Sequence, residues 1–265
     1  MPSIFPLEIE EIILDILGAE DDDDHSALKM CSLVCQAFLP ICRKHFFGSI
    51  VLNDHWQVGS PPGQLQTPTT HPFERLLRET PEIADYIRKL DYFNGIVDLP
   101  SPSIQESLRR ISRLKFLTVW QQYSIWELDW SNNPIRPALL HLLHLPTLTH
   151  FQVTRINDFV VSDLILCVNL KYLDIGPYTT VAAENTFPAT FSEHSFQLNE
   201  LVARIRTPTA IMKLCTARRP DGQPIIDFGS LTKVTVSFET PNEGEASQEL
   251  FRRCNVLTNV RISCK

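Results

Sequence analysis

One short pattern, apolar-x-x-apolar-x-apolar, recurs seven times between residue 87 and the C-terminus. It reads IRKLDY from residue 87, LKFLTV from 114, LTHFQV from 148, LKYLDI from 170, LNELVA from 198, LTKVTV from 231 and LTNVRI from 257. FGSIVL, from residue 47, fits as an earlier member. Successive starts within the seven lie 27, 34, 22, 28, 33 and 26 residues apart. Each copy is too short to bury its own apolar face. A chain built this way must stack the copies on one another.

The intervals carry helix-like segments: HPFERLLRET, SIQESLRRI, IRPALLHLLHL, DFVVSDLILCV, TAIMKLCTAR and EASQELFRRC. Strand, turn, helix and strand in regular alternation predict an α/β fold with right-handed βα crossovers. The Leu-x-x-Leu-x-Leu core resembles leucine-rich repeats. The uneven lengths and the missing asparagine ladder mark a divergent version. The resemblance implies an irregular, leucine-rich-repeat-like βα solenoid over residues 73–265.

Positions 1, 4 and 6 of each motif are expected to face the interior, and since side chains alternate across a strand, positions 3, 5 and 7 then face the open side of the sheet. The open positions include Lys89, Asp91, Phe93, Phe116, Thr118, Trp120, His150, Gln152, Thr154, Tyr172, Asp174, Glu200, Val202 and Arg204. Large rings mixed with polar neighbours suit a binding hot spot. The expected target-binding residues are therefore Phe93, Phe116, Trp120, His150, Tyr172 and Arg204. The competing reading packs Phe116 and Trp120 beneath the loop QQYSIWELDWSNNPI. The last strand, LTNVRISCK, offers an open edge that invites pairing or a cover.

The first fifty residues follow a different pattern. FPLEIEEIILDILG predicts a helix with Pro6 in its first turn, acids near its N-terminus and Gly18 as its stop. At about 100° per residue, Ile9, Ile12, Ile13, Ile16 and Leu17 cover one arc, and Leu7 and Leu14 form a second strip. The run EDDDDH reads as a solvated loop ending in a helix cap at Asp24 or Ser26. A second helix groups Leu28, Cys31, Val34, Cys35, Phe38 and Leu39 on one face, with Cys31 and Cys35 pointing into one core. Met30, Leu33 and Ala37 fall opposite. A third short helix, LPICRKHFF, follows. About 45 residues cannot bury apolar surface on several faces unaided. The rest of the chain or a partner must cover some of it.

The segment FPLEIEEIILDIL…ALKMCSLVCQAFLPICRKHFF resembles an F-box over about residues 4–50. Phe5 stands in place of the opening Leu, Pro6, Leu7 and Glu8 follow the family pattern, Val34-Cys35 supplies its Val-Cys pair, and Phe38 replaces its usual Trp. The resemblance implies that Cys35 is structural. It also implies docking on a Skp-type adaptor and, through it, a cullin-RING ubiquitin ligase of the SCF type. The adaptor-binding residues it points to are Phe5, Pro6, Leu7, Leu33, Ala37 and Phe38. Residues 1–50 then form the F-box domain, 51–72 a first strand and Pro/Gly/Thr-rich surface linker, and 73–265 the repeat domain.

Other chemistry is sparse. Net charge is −7 with no basic block, which argues against a nucleic-acid surface. With nine glycines the chain has no GxGxxG, GxxxxGK[ST] or GxSxG, so phosphate cradles and nucleophile elbows are not expected. The cysteines Cys31, Cys35 and Cys42 with His45 do not match a zinc-module spacing. His141, His144 and His150 read as helix and strand histidines, and ARRPDGQP as a solvated turn. No basic n-region precedes the first helix, and no run reaches the roughly 18 apolar residues of a membrane span. Seven cysteines without a paired framework suggest a reducing setting, cytoplasm or nucleus. The expected function is non-enzymatic: the F-box joins the ligase and the solenoid selects an unknown protein substrate, with no cofactor, metal, nucleic acid or membrane. The alternative is a non-ligase interaction scaffold in which the F-box is a structural cap.

Overall fold

The computed structural model describes residues 7–19, 25–53, 69–94, 102–121, 129–182, 195–204, 208–238 and 241–264. The chain opens with helices α1 (Leu7–Ala19), α2 (Ser26–Val34) and α3 (Leu39–Phe46), then strand β1 (Ser49–Asn53). There follow α4 (Thr70–Glu79), β2 (Lys89–Asn94), α5 (Pro102–Arg109), β3 (Phe116–Gln121), α6 (Arg136–Leu143), β4 (His150–Thr154) and β5 (Tyr172–Ile175). The remainder is β6 (Phe196–Gln197), β7 (Glu200–Ala203), α7 (Pro208–Thr216), β8 (Ile226–Asp227), β9 (Lys233–Phe238), α8 (Pro241–Arg252) and β10 (Asn259–Cys264).

Eight strands form one parallel sheet in the order β1-β2-β3-β4-β5-β7-β9-β10, and β6 and β8 pair separately. The motif appears directly in the hydrogen bonds. The carbonyls of Gly48, Arg88, Lys115, Thr149, Lys171, Asn199 and Thr232 each accept two successive N–H groups from the entry to the next strand. Each of these seven carbonyls sits at the second position of its motif copy, so every strand enters in the same register.

Positions 1, 4 and 6 are buried as expected through six copies. Ile87, Leu90 and Tyr92 are buried, as are Leu114, Leu117 and Val119, Leu148, Phe151 and Val153, Leu170, Leu173 and Ile175, Leu198, Leu201 and Ala203, and Leu231, Val234 and Val236. The helices supply the other half of this core at i, i+3 and i+4 spacings: Phe73 and Leu77 on α4, Ile104 and Leu108 on α5, Leu139, Leu142 and Leu143 on α6, Ile211 and Leu214 on α7. The expected helix in DFVVSDLILCV is instead a 3-10 helix, Val161–Leu166. Its apolar residues are almost all buried, so packing sets its shape more than any one-sided pattern does.

The rule fails at the seventh copy. Val260 and Ile262 are about half exposed, at 46% and 52%, and Leu257 is only partly covered. β10 is the edge strand, with a strand neighbour only on the β9 side.

The N-terminal helices hold a small core of their own, Leu14, Leu28 and Cys42, with Leu17, Cys31, Phe38, Ile41 and Phe46 packed around it. Several local expectations are corrected here. α2 ends at Val34, because Cys35 is extended (φ −148°, ψ 137°) and its Sγ accepts the Ala37 N–H at 3.4 Å to cap a short 3-10 turn. Cys35 is therefore exposed and does not share a core with Cys31, and Val34 is 75% exposed. The residue preceding α2 is His25 in a left-handed conformation (φ 50°), with no side-chain cap; Ser26 begins the helix and Asp24 lies outside the described residues.

Gly18 does not end α1, which runs on to Ala19. A Cβ at Gly18 would lie 2.3 Å from His45 Nδ1, so glycine here permits α1 to approach α3. The approach is fastened by Asp15, whose carboxylate takes Lys44 Nζ at 3.0 Å and His45 Nε2 at 2.7 Å. Hydrogen bonds from Lys44 and then His45 hold Asp15 below the usual carboxylate range. Toward the sheet, Phe47 and Ile50 pack on the main core and Arg43 pairs with Glu82 at 3.2 Å.

Candidate functional site

Because the strands share one register, their outward side chains form rows across the sheet. The first row runs Lys89, Phe116, His150, Tyr172, Glu200 and Lys233. The second runs Asp91, Thr118, Gln152, Asp174, Val202 and Thr235. Phe93, Trp120 and Thr154 open the third. Adjacent strands are about 4.8 Å apart, which is the spacing at which flat rings stack.

The first row is a stack. Phe116 and His150 have ring centroids 4.3 Å apart, and His150 and Tyr172 5.3 Å apart at 30°. In the third row Phe93 meets Trp120 edge to face at 5.1 Å. Thr154 rests on Gly176, where a Cβ would fall 2.0 Å from its Oγ1; a side chain at 176 has no room. All six expected target-binding residues, Phe93, Phe116, Trp120, His150, Tyr172 and Arg204, line a single groove of about 570 Å³ on this face. Of the loop 121–135, the alternative cover for Phe116 and Trp120, residues 122–128 lie outside the described residues.

Two features of the groove were not expected. Asp174 is fully buried beneath it and pairs with Arg204 Nη2 at 2.8 Å, leaving Arg204 half exposed above. Burial raises the Asp174 pKa, while hydrogen bonds from Arg204 and Tyr172 pull it back. Burial likewise raises Tyr172, with the nearby Asp174 and Glu200 charges adding to the effect. The second feature is Arg155. Alternation would send residue 155 toward the helices, but its left-handed φ of 59° ends the alternation and brings it into the groove lining. Its guanidinium lies 5.4 Å from the Trp120 ring and 5.7 Å from that of Tyr178. No pattern in the sequence marks a residue that leaves its strand this way.

His150 carries a pH prediction. Burial between two rings lowers its pKa, with Glu200 opposing the shift. A base whose folded pKa is depressed contributes stability above its unfolded pKa, about 6.5, and loses it as pH falls through the folded value. The melting-temperature difference between the protein and a His150→Phe variant should therefore shift in favour of the variant between pH 7.5 and pH 5.5. An unchanged difference would show that His150 does not titrate in that window.

The remaining candidates fall apart from the groove. Leu33 is 81% exposed and Ala37 is exposed, while Phe38 is half-buried against the Leu14–Leu28–Cys42 core and shows only part of its ring. Phe5, Pro6 and the side chain of Leu7 lie outside the described residues. Cys42 is buried, Cys31 partly buried and Cys35 exposed; no group of three or more His, Cys, Asp or Glu side chains converges on a metal position among the described residues. His141 is exposed, and His144 donates from Nε2 to the Asp163 carbonyl at 2.7 Å. The ARRPDGQP turn is not simply solvated, since Arg219 is buried and paired with Asp221. No described helix is long and apolar enough to cross a membrane. No protein-family model matches the chain, and no curated protein matches it in sequence.

Proposed function

We propose that this chain is the substrate-receptor subunit of an SCF-type cullin-RING ubiquitin ligase, with its N-terminal helices acting as an F-box and its repeats as a divergent leucine-rich-repeat solenoid. The observation that carries the proposal is where the exposed apolar side chains lie. Seven of the fifteen large hydrophobic residues exposed among the described residues fall on α1 and α2: Ile9, Ile12, Ile13, Ile16, Met30, Leu33 and Val34. Exposed patches of this kind mark partner surfaces.

The arrangement of α1 explains why. Leu14 faces inward with Leu17, from the border of the wide arc, packed beside it, and the four isoleucines of that arc, Ile9, Ile12, Ile13 and Ile16, face out. A structural cap would turn its widest apolar face toward the sheet, so the exposure favours an adaptor over the scaffold alternative. The receptor acts by proximity: holding a target near a charged conjugating enzyme raises effective concentration without any catalytic residue in this chain. The setting that fits is cytoplasmic or nuclear, where free thiols such as Cys35 persist.

Co-expression with a Skp-type adaptor followed by size-exclusion chromatography tests the reading. A 1:1 complex is expected. An Ile12→Asp, Leu33→Asp variant should weaken it on the order of a hundredfold, because each residue would bury an apolar side chain at the interface. Its thermal unfolding should stay close to that of the parent chain, since both residues are exposed. A well-folded parent chain that forms no complex would overturn the ligase reading in favour of the scaffold.

A further inference from the structure

The two edges of the eight-stranded sheet are finished differently. At β1, Thr69 folds back along the outer edge. Its Oγ1 accepts the Asn53 N–H at 2.6 Å and donates to the Val51 carbonyl at 3.3 Å, and its own N–H donates to the Asn53 carbonyl at 3.0 Å. At β10, nothing among the described residues pairs on the outer side. The Asn259 N–H bonds to the Thr232 carbonyl, so residues 259, 261 and 263 direct their backbone groups to β9. Val260, Ile262 and Cys264 then direct theirs outward.

The same repeat leaves apolar side chains uncovered. Val256, Val260 and Ile262 are each about half exposed, and Phe251 and Leu257 are partly so. Edge strands are usually blunted by lysine, proline or a bulge. β10 instead keeps an unbroken register with β9 over its whole length, contains no proline and carries one charge, Arg261. Open backbone groups beside spare β-branched side chains make a template for another strand.

We propose that β10 pairs antiparallel with β10 of a second copy, about a twofold axis normal to the sheet at Ile262. The opposite edge is taken by Thr69, which closes the head-to-tail stacking of β10 on β1 that would build a filament. A twofold normal to the sheet keeps the helices of both copies on one side. Residues that meet across the seam must then share a face, so the axis passes through a residue and not between two. At Ile262 the pairing is complete: 262 meets 262 and 260 meets 264 as hydrogen-bonded pairs, every outward N–H and C=O of β10 is used, and Arg261 meets Ser263. An axis at Arg261 would set two arginines directly opposite. One at Ser263 would leave Val260 unpaired, and one at Val260 would call on the Thr258 N–H, already bonded to Thr232. In the selected register Ile262 packs on Ile262 of the second copy, with Val260 on the diagonal. Both open faces of the dimer lie on the same side, so it would offer two grooves to one target. The inference stands apart from the receptor reading, and each chain of the dimer keeps its own adaptor surface.

Size-exclusion chromatography with light scattering on the full chain tests it. One strand pair buries less than the roughly 1,600 Å² of a standard interface, so a Kd on the order of 10 µM is expected. The measured mass should rise from 30.3 kDa toward twice that value as concentration increases from about 1 to 100 µM. Val260→Lys, which puts a charge at the seam, and Ile262→Pro, which removes an outward N–H and spares the ladder to β9, should each weaken dimerisation by about tenfold or more. Thermal unfolding is followed for both, and Val260→Lys carries the test if Ile262→Pro unfolds. The Ile12→Asp, Leu33→Asp variant should dimerise as the parent does, because its changes lie at the other end of the sheet. Mixing Arg261→Cys with Ser263→Cys under oxidation should give a disulfide-linked dimer beyond the parent background, and neither variant alone should. A chain that stays monomeric at about 100 µM, a dimer untouched by the β10 variants, a dimer lost in the N-terminal variant, or a link formed by Arg261→Cys alone would overturn the proposal. A monomer that binds adaptor rejects only the β10 pairing. A β10 dimer that binds no adaptor rejects only the ligase reading.

Discussion

Replacing Asp163 by Ala should lower the unfolding free energy by about 3 kcal/mol, the cost of removing one partner from a largely buried ion pair. Asp163 sits in the 3-10 helix Val161–Leu166, and its carboxylate serves two preceding segments at once. Trp130, itself buried, donates from Nε1 to Oδ2 at 2.6 Å. Arg136 on α6 grips both oxygens, with Nη2 at 2.9 Å from Oδ1 and Nε at 3.2 Å from Oδ2. Alanine would leave a buried indole N–H and a guanidinium, only 22% exposed, without their acceptor. For a chain of this size about 3 kcal/mol corresponds to a melting temperature roughly 10 °C lower. Asp163→Asn, which keeps an acceptor for Trp130 but loses the charge, should cost about half as much. A double-mutant cycle with Trp130→Phe should be non-additive, because the two share one hydrogen bond. A loss below about 1 kcal/mol would place the Asp163–Arg136 pair with ordinary surface ion pairs.

The interior of the sheet was legible because its signal has the period of the structure. Leu90 and Tyr92 are apolar two residues apart, as alternation along a strand requires, while Ile87 is buried just before β2 begins, and the same three positions repeat five more times with only Ala203 reduced in size. The groove residues followed from the same rule, as the complement of the inward ones. Phe116, His150 and Tyr172 lie 22 to 34 residues apart in sequence and become a stack only through the shared register. Arg155 was invisible for the opposite reason. Its place depends on one left-handed residue at a strand end, where alternation stops.

The N-terminal helices were less legible, because both of their faces are apolar. The isoleucine arc of α1 is wider and more hydrophobic than the strip with Leu14, yet Leu14 is buried and the four isoleucines are not. Periodicity locates faces but does not say which of two is covered by the same chain and which by another. Cys35 shows the same ambiguity at shorter range. Its i, i+4 spacing from Cys31 holds only while the helix continues, and the helix stops one residue earlier. The family resemblance assigned Cys35 a structural role, and its thiol does cap the turn that begins there, from an exposed position rather than from within a core.

The strongest test of the register is a pair of phenylalanines 35 residues apart that belong to opposite faces of adjacent strands. Phe151, at motif position 4 on β4, is 1% exposed; its ring lies 5.9 Å from Phe159, which in turn lies 5.3 Å from Trp130. Phe116, at motif position 3 on β3, is 39% exposed. Phe151→Ala should cost about 3–5 kcal/mol, since it removes a ring from a packed interior and leaves a cavity that the neighbouring strands cannot close. The matching fall in melting temperature is about 10 °C or more. Phe116→Ala should cost about 1 kcal/mol or less, the worth of a partly exposed ring contact. It should instead appear as weaker binding of a ligand in the groove. Denaturant unfolding of the two variants side by side measures both energies. If Phe116→Ala proved as costly as Phe151→Ala, the side of the sheet assigned to ligand would be part of the core, and the groove could not be the recognition face. If the costs separate as expected, the two faces divide their labour along a single alternation. Positions 1, 4 and 6 then hold the fold together, and positions 3, 5 and 7 are left available for a partner.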